Sequence, residues 1–238
     1  MVQTRRFKAF KWISPFLAPL PLPMQFLLRI SGSDKESNVH QYGQTYGRLF
    51  RTLKYRPITL LEIGIGGYEG WPGGASLNAW RSFFPFAKIV ACDIVDKRAM
   101  NGGRIHIHVV DQSSADDLAV LSGKEGPFDV VIDDGSHINA HQIFSFENLF
   151  SQLKAGGLYI IEDTQTSYWP EYGGTTVDQQ SRITAMGYFT ELARYLNYPD
   201  FRNEQGDPKM TGFSKSISSI YFEHNLIVIT KVNHSTRN

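Results

Sequence analysis

The stretch that decides the fold is Ile58-Thr-Leu-Leu-Glu-Ile63, which runs directly into Gly64-Ile-Gly-Gly67. A short, nearly continuous apolar run predicts a strand that is buried on both faces of a parallel sheet. Glycines directly after the strand predict a tight turn where a ligand can approach the backbone closely. The stretch therefore predicts the first strand and turn of a doubly wound α/β sheet.

The rest of the chain continues this alternation of strands and helices. Strands are predicted at residues 88–93, 105–110, 128–134 and 158–163, and helices at residues 34–53, 73–84, 116–121, 139–153 and 183–196. Gly156 and Gly157 are expected to end the helix at 139–153. Two short apolar runs at residues 218–222 and 226–230 predict an antiparallel hairpin. We therefore expect a Rossmann-like, doubly wound, mostly parallel α/β sheet with a C-terminal antiparallel hairpin.

The composition is that of an ordinary globular protein. Of the 238 residues, 42% are hydrophobic and 20% are charged, which is enough to build a core in one elaborated domain. The formal net charge is only +1, so we expect no nucleic-acid partner bound through its phosphates. The lone cysteine, Cys92, excludes an internal disulfide and a thiolate zinc cluster, and it is expected in the core. These features indicate a soluble cytoplasmic protein.

Residues 1–32 are expected to form an arm beside a single domain at residues 33–238. The arm is basic in its first dozen positions and then apolar from Trp12 to Leu28. Prolines at positions 15, 19, 21 and 23 interrupt the apolar run, so we expect neither a continuous helix nor a membrane span. The pattern fits an arm packed on the domain or on a partner subunit. It also fits peripheral contact with the inner face of a membrane through residues 1–30, or a cleaved secretory signal.

The glycine turn points to a cofactor without a pyrophosphate. The dinucleotide fingerprint needs three spaced glycines, whereas the third position counted from Gly64 is Glu69. Gly64 and Gly66 therefore suit a nucleoside cofactor such as S-adenosylmethionine. Asp93, at the end of the next strand, would accept hydrogen bonds from the ribose hydroxyls. A nicotinamide cofactor on the same fold, and a tight turn that binds no ligand, are the alternatives.

Acidic groups at two further strand ends point to a divalent cation. Asp133-Asp-Gly-Ser-His137 follows one strand and Glu162-Asp163 ends another, so the two groups should meet at the carboxyl edge of the sheet. Converging carboxylates repel one another unless a cation neutralises them, and an all-oxygen set favours Mg²⁺ or Mn²⁺. An imidazole there, with an ordinary pKa of about 6.5, can remove a proton from a hydroxyl. In the alternative interpretation, Asp133 caps the next helix and His137 has no chemical role.

With these residues in place, the chain resembles the metal-dependent sugar O-methyltransferases of macrolide tailoring, a family of class I S-adenosylmethionine-dependent methyltransferases typified by the mycinamicin and demethylmacrocin enzymes. The resemblance covers roughly residues 33–176. The matching stretches are Ser33-Asp-Lys35 with His40 and Tyr46, Leu61-Glu-Ile-Gly-Ile-Gly-Gly-Tyr68, Gly73-Gly-Ala-Ser-Leu77 with Trp80, Asp93-Ile-Val-Asp-Lys97, Asp111-Gln112, Ile132-Asp-Asp-Gly-Ser-His137, Ile161-Glu-Asp-Thr164, Ser167-Tyr-Trp-Pro170 and Gly173-Gly174.

The resemblance implies a complete site. It implies that Asp134, Glu162 and Asp163 bind Mg²⁺ and that His137 is the general base. The S-adenosylmethionine site that we expect consists of Glu62, Gly64, Asp93, Asp111 and Gln112, with Gly66 and Asp133 added to it. Two neighbouring sugar hydroxyls would bind the metal, and the deprotonated oxygen would attack the methyl group.

The implied acceptor is a sugar of a glycosylated natural product or of a glycolipid, and the basic, apolar arm favours a membrane-proximal glycan. Tyr168, Trp169 and Tyr172 would stack on a sugar face or pack as a lid. Self-association into a homo-oligomer is a further expectation. The competing hypotheses are a nicotinamide-dependent oxidoreductase, which the failed third glycine disfavours, and a non-enzymatic membrane-associated module, which the costly buried charges disfavour.

Overall fold

The computed structural model describes residues 21–36, 40–67, 72–177, 182–202 and 206–233. Its helices are α1 Met24–Ser31, α2 Gly43–Phe50, α3 Ala75–Phe83, α4 Ala115–Glu125, α5 Asn139–Leu149, α6 Ala185–Arg194 and α7 Pro208–Ser214. Its strands are β1 Thr59–Ile63, β2 Lys88–Asp93, β3 Ile105–Val109, β4 Phe128–Asp133, β5 Leu153–Glu162, β6 Ile217–Glu223 and β7 Leu226–Lys231. Short 3₁₀ helices follow β5 at Thr164–Tyr168 and Pro170–Tyr172.

The strands form a sheet in the order β3-β2-β1-β4-β5-β7-β6. β2 pairs in parallel with β3, and β4 in parallel with β5. β7 is antiparallel to both β5 and β6. The direction of winding changes between β1 and β4, and ligands of such sheets bind beyond the carboxyl ends of the strands at this point. The predicted doubly wound sheet with a C-terminal hairpin is confirmed.

The chain divides into two compact units, and the first contains the residues up to Leu60 together with Ile65–Val109. Its core is an aromatic cluster on α2 and α3. The Trp80 ring packs edge-on against Tyr46 and Phe50, with centroids 5.1 and 5.8 Å apart, and all three side chains are fully buried. Cys92 is buried in β2, as its place in a predicted strand indicated.

Helix α1 lies within the segment predicted as an arm. It begins directly after Pro23, where the missing N–H of proline costs no hydrogen bond. It buries Met24, Leu27 and Leu28 and packs on α2 and α3. The prolines therefore do not prevent a helix in this segment, because the last of them precedes it. The division at residue 32 stays a prediction, and residues 1–20 of the expected arm lie outside the described residues.

The second unit contains Leu61–Gly64 and the chain from Val110 onward. Phe146 of α5 is completely buried at its centre. Its ring lies 5.3 Å from Tyr159 of β5, 5.0 Å from Phe189 of α6 and 5.2 Å from Phe213 of α7. One aromatic side chain therefore holds three helices and a strand together. Among the described residues, no helix has the length and apolar character needed to span a bilayer.

Several predicted bounds are wrong, and the β5 region shows why. Helix α5 ends at Leu149, and β5 already begins at Leu153 and passes through Gly156 and Gly157. The register of β5 against β4 shifts there, and Gly156 has a φ of +74°. The glycines therefore permit an irregularity inside a strand instead of ending a helix. Helix α2 similarly begins only at Gly43 and not at residue 34, and α7 was not predicted although Asp207 and Pro208 are start signals.

Candidate cofactor and metal site

The end of β1 is packed against the end of β4 through Gly64. The backbone of this glycine has a φ of +76°, and a Cβ atom there would lie 2.2 Å from the carbonyl oxygen of Asp134. The amide of Asp134 donates to the carbonyl of Ile63 at 2.9 Å. Only a residue without a side chain permits this approach, so Gly64 is required for the position of the loop after β4. Glu62, two residues earlier in β1, is completely buried.

The rest of the glycine turn belongs to the first unit. Gly74 donates its amide to the carbonyl of Ile65 at 2.7 Å, and a Cβ on Gly73 would lie 2.2 Å from the carbonyl oxygen of Gly66. The turn is therefore closed by contacts between backbones. Gly66 itself is exposed, with nothing within 4 Å of the position that a Cβ would take. The cofactor role of Gly66 stays a prediction.

Asp93, at the end of β2, holds this turn. One carboxylate oxygen accepts from the amide of Val95 at 2.9 Å. The other accepts from the amide of Ile65 at 3.2 Å and from the ammonium of Lys97 at 2.7 Å. Lys97 also donates to the carbonyl of Gly66. A carboxylate has about four lone-pair sites, so Asp93 keeps capacity for one ribose hydroxyl. The sequence analysis assigned no site role to Lys97, although its spacing of four residues from Asp93 was a signal.

Asp111 and Gln112 follow β3 in the second unit. The carboxylate of Asp111 accepts from the amide and the hydroxyl of Ser113 at 2.8 and 2.6 Å, and these bonds lower the pKa of Asp111. The amide of Gln112 instead bridges protein groups. It donates to Asp133 at 3.2 Å and to Ser145 at 3.0 Å, and its oxygen accepts from the amide of Ser136 at 2.7 Å. The described contacts of the Gln112 side chain therefore support the loop at residues 133–136.

Asp133 is the last residue of β4 and is completely buried. Its Oδ1 accepts from Gln112 and more weakly from the amide of Gly135, whereas Oδ2 has no hydrogen-bond partner among the described residues. Burial raises the pKa of Asp133 to about 7, against the opposite effect of these hydrogen bonds. The carboxyl group of Asp133, for which a cofactor role was predicted, therefore faces the protein interior.

The carboxyl ends of β4 and β5 bring three titratable side chains together. One ligand atom each of Asp134, His137 and Asp163 lies within 4.8 Å of the other two. The Nε2 atom of His137 is 3.6 Å from a carboxylate oxygen of Asp163. His137 and Asp163 both have left-handed backbones, with φ of +58° and +55°. Left-handed backbone is uncommon outside glycine, and two such residues at one cluster indicate a functional constraint.

This donor set fits a hard divalent cation. Two carboxylates within reach of one another repel unless a cation lies between them, and oxygen ligands are those that Mg²⁺ prefers. The imidazole Nδ1 of His137 is buried without a hydrogen-bond partner among the described residues, so the ring is not engaged on that side. Glu162 is buried at the end of β5, with its carbonyl accepting from Gln142 at 3.0 Å. Its carboxylate is not part of the three-residue cluster within the described ranges, and its metal role stays a prediction.

The segment after Asp163, at residues 164–172, exposes aromatic side chains. Tyr168 and Trp169 are 41% and 44% exposed, whereas neighbouring Ser167 is completely buried. The Trp169 ring lies 5.9 Å from that of Tyr172. Half-exposed aromatic rings beside a cluster of acidic groups can stack on the apolar face of a sugar.

The chain is similar to several methyltransferases that modify sugars of natural products. It is 38% identical over 201 residues to the 8-demethyl-8-alpha-L-rhamnosyl tetracenomycin-C 2'-O-methyltransferase of Streptomyces olivaceus, a match that covers 84% of this chain and 52% of that protein. It is also 38% identical over 196 residues to the mycinamicin VI 2''-O-methyltransferase of Micromonospora griseorubida, covering 81% and 48%. The chain thus spans about half the length of the curated relatives that it matches. No family model matches the chain.

A solved structure shows the same fold. The methyltransferase MycE from the mycinamycin biosynthetic pathway, in complex with Mg, SAH and mycinamycin VI, superimposes with a TM-score of 0.83 at 35% sequence identity. The match covers 90% of this chain and 55% of that one.

Proposed function

Since the chain belongs to the macrolide-type sugar O-methyltransferase family and has the class I methyltransferase fold, we propose that it transfers a methyl group from S-adenosylmethionine to a sugar hydroxyl with Mg²⁺ as its metal. The observation that carries this proposal is the convergence of Asp134, His137 and Asp163 at the carboxyl ends of two neighbouring strands. Neither a nicotinamide-dependent oxidoreductase nor a non-enzymatic module needs such a cluster.

Asp134 and Asp163 are the proposed metal ligands, together with Glu162. When bound, Mg²⁺ lowers the pKa of an acceptor hydroxyl and offsets the repulsion among the carboxylates. The backbone supports both aspartates. The backbone N–H of Asp134 donates a hydrogen bond to the carbonyl of Ile63, and Asp163 caps the start of a 3₁₀ helix with a left-handed backbone.

His137 is the proposed general base. Its Nε2 atom faces Asp163, and the imidazolium that forms when Nε2 accepts the hydroxyl proton is stabilised by that carboxylate. The acceptor oxygen then forms a bond to the methyl carbon while the carbon–sulfur bond of the sulfonium breaks, which yields a methyl ether and S-adenosylhomocysteine. The side chain of His137 is 27% exposed, so solvent can take the proton from the ring afterwards. Alignment of the hydroxyl supplies much of the rate.

The proposed contacts of the nucleoside are the exposed residue Gly66 and the carboxylate of Asp93, which has one lone-pair site left. S-adenosylmethionine has no phosphate, so a turn without the dinucleotide glycine spacing is sufficient for it. The other proposed residues of the cofactor site are Glu62, Gly64, Asp111, Gln112 and Asp133. Of these, Gly64, Gln112 and Asp133 act by shaping the loops beside the cofactor, because their described contacts are with the protein.

A glycosylated natural product is the proposed acceptor, in preference to a glycolipid. The half-exposed rings of Tyr168 and Trp169 offer a stacking surface for a sugar. The named relatives are O-methyltransferases of a rhamnosyl tetracenomycin C and of mycinamicin VI. Peripheral membrane contact through residues 1–30 has little support from the described part of that segment, because α1 turns Met24, Leu27 and Leu28 inward. Self-association into a homo-oligomer stays a proposal as well.

The test is methyl transfer from labelled S-adenosylmethionine to glycosylated natural products that lack one sugar methyl group, with and without added Mg²⁺. We expect His137→Ala to lower turnover at least about a hundredfold, the usual worth of a general base, while S-adenosylmethionine still binds. His224→Ala, at the exposed turn of the β6–β7 hairpin, is the matched control and should leave turnover unchanged. Chelation by EDTA should stop the reaction reversibly.

Two results would contradict the proposal. Full activity in EDTA would remove the metal from the reaction. Calorimetric binding of NADH, with none of S-adenosylmethionine, would favour the oxidoreductase alternative.

A further inference from the structure

Asn139, the first residue of α5, makes four hydrogen bonds with a completely buried side chain. Its Nδ2 donates to the carbonyl oxygens of Thr166 and Tyr172, each at 3.0 Å. Its Oδ1 accepts from the hydroxyl of Ser167 at 2.9 Å and from the amide of Ala185 at 2.7 Å. A side-chain amide has two donors and two lone pairs, so the hydrogen-bonding capacity of Asn139 is fully used.

These bonds join three parts of the second unit that are distant in sequence. Asn139 follows His137 by two residues, so it stands at the end of the loop that carries Asp134 and the imidazole. Its partners are Thr166, Ser167 and Tyr172 of the aromatic segment, residues 164–172, and Ala185 in the first turn of α6. Ser167 extends the connection, because its hydroxyl accepts from the amide of Met186 at 3.1 Å.

Helix α5 also binds the end of β5, directly before the aromatic segment. Gln142 lies one turn along α5 and donates to the carbonyl of Glu162 at 3.0 Å. One face of α5 therefore fixes β5 at its last residue and the aromatic segment at residues 166 and 172. Asp163, with its left-handed backbone, lies between these points of attachment.

Neither an aspartate nor an alanine can replace this amide. An aspartate has nearly the same shape but no donors, so its charge would face the carbonyl oxygens of Thr166 and Tyr172. An alanine would remove the bonds that Asn139 makes to two carbonyls, one hydroxyl and one amide in a dry interior, where lost hydrogen bonds are costly. The arrangement is therefore specific for asparagine and does not follow from helix propensity, in which asparagine is unfavourable.

We propose that Asn139 is a positioning residue that fixes the aromatic segment and Asp163 relative to the loop of His137, and thereby sets how tightly the acceptor is held. The inference deepens the proposed function and rests on it for the identity of the acceptor. The position of the segment itself does not depend on the reaction, so it can be measured without turnover.

The first experiment is hydrogen exchange of the full chain without metal or cofactor, comparing wild type with Asn139→Asp. We expect amides of residues 163–175 to exchange at least about tenfold faster in the variant, because a loss of about 1.4 kcal/mol in local opening corresponds to that factor. Amides of β2 should keep their rates. Asn148→Asp is the matched control. It lies on the same helix and makes one bond, to the carbonyl of Phe144, and it should leave residues 163–175 unchanged.

A milder variant keeps the experiment decisive if Asn139→Asp fails to fold. Ser167→Ala removes the hydroxyl that connects Asn139 to Met186 and should accelerate the same amides by a smaller factor. Unchanged exchange at residues 163–175 in both variants, or equal acceleration across the whole chain, would overturn the proposal.

Kinetics then separate positioning from a general loss of structure. With 8-demethyl-8-alpha-L-rhamnosyl tetracenomycin C as the acceptor probe, Ser167→Ala should raise the KM for the acceptor several-fold and leave the affinity for S-adenosylmethionine unchanged. An equal loss of both would refute the role of the segment in holding the acceptor. If the wild type does not methylate this probe, the proposed acceptor class is wrong, whereas the exchange result still decides whether Asn139 fixes the segment.

Discussion

Replacing Gly64 by alanine should damage the site more than the same change at Gly66, although both glycines have left-handed backbones. Their φ values are +76° and +59°, so alanine pays a similar conformational penalty of roughly 1–2 kcal/mol at each position. The surroundings differ. A Cβ on Gly66 meets nothing within 4 Å, whereas a Cβ on Gly64 would lie 2.2 Å from the carbonyl oxygen of Asp134 and 2.6 Å from the Cα of Gly135.

The extra cost at Gly64 follows from these distances. Ordinary van der Waals contact begins at 3.4 Å, so the backbone of Asp134 would have to move by about 1.2 Å. Forcing an additional methyl group into packed structure costs about 1–3 kcal/mol. We therefore expect Gly64→Ala to lower the free energy of unfolding by about 2–5 kcal/mol, and Gly66→Ala by about 1–2 kcal/mol. Urea denaturation at pH 7.5 measures both.

The displacement also has a functional consequence that stability alone does not report. Moving the backbone of Asp134 changes its distance to Asp163, so Gly64→Ala should bind Mn²⁺ at least about tenfold more weakly, as measured by electron paramagnetic resonance. Gly66→Ala should retain the wild-type affinity for Mn²⁺. Equal destabilisation by the two substitutions, or equal Mn²⁺ binding, would refute the argument that Gly64 is required by the close approach of Asp134.

Two further predictions concern the buried groups. The folded-state pKa of Asp133, about 7, lies above its ordinary value of 3.8, so wild-type stability should fall as the pH rises through this interval. In chelator-treated protein, the stability gained by Asp133→Asn should therefore be roughly 2–3 kcal/mol larger at pH 8 than at pH 5, and a gain independent of pH would show that Asp133 does not titrate in this range. Phe146→Ala should lower the free energy of unfolding by about 3–5 kcal/mol, because the ring packs α5 against two other helices and β5. Phe86→Ala, at a residue that is 61% exposed, should change it by less than about 0.5 kcal/mol in the same urea titration.

The contrast between β1 and β5 shows where sequence prediction succeeds. The strand that leads into Gly64 was predicted within one residue, because its apolar run is short and is followed at once by glycines. The start of β5 was placed five residues too late, because Gly156 and Gly157 have the same local signature as a helix end. Local patterns cannot separate the two cases, since the difference is the pairing of β5 with β4 across the sheet.

Some features of the site could also be predicted from the sequence, and others could not. The convergence of Asp134 with Asp163 could be predicted, because parallel strands place their carboxyl ends at one edge of a sheet. The membership of His137 in the same cluster could be anticipated from its position three residues after Asp134. The bonds of Asn139 could not, because its partners lie 27 to 46 residues away and three of the four are backbone groups, which carry no mark in the sequence.

The amino-acid sequence by itself therefore determined the sheet, the glycine turn and the acidic strand ends, because each depends on periodicity or on the kind of residue at one place. Only the tertiary structure decided that Gln112 and Asp133 face the interior, that Lys97 neutralises Asp93, and that one buried amide connects the loop of His137 to the aromatic segment. These features depend on hydrogen bonds between segments distant in sequence. Such bonds are formed by whichever groups the packed core brings within about 3 Å of each other.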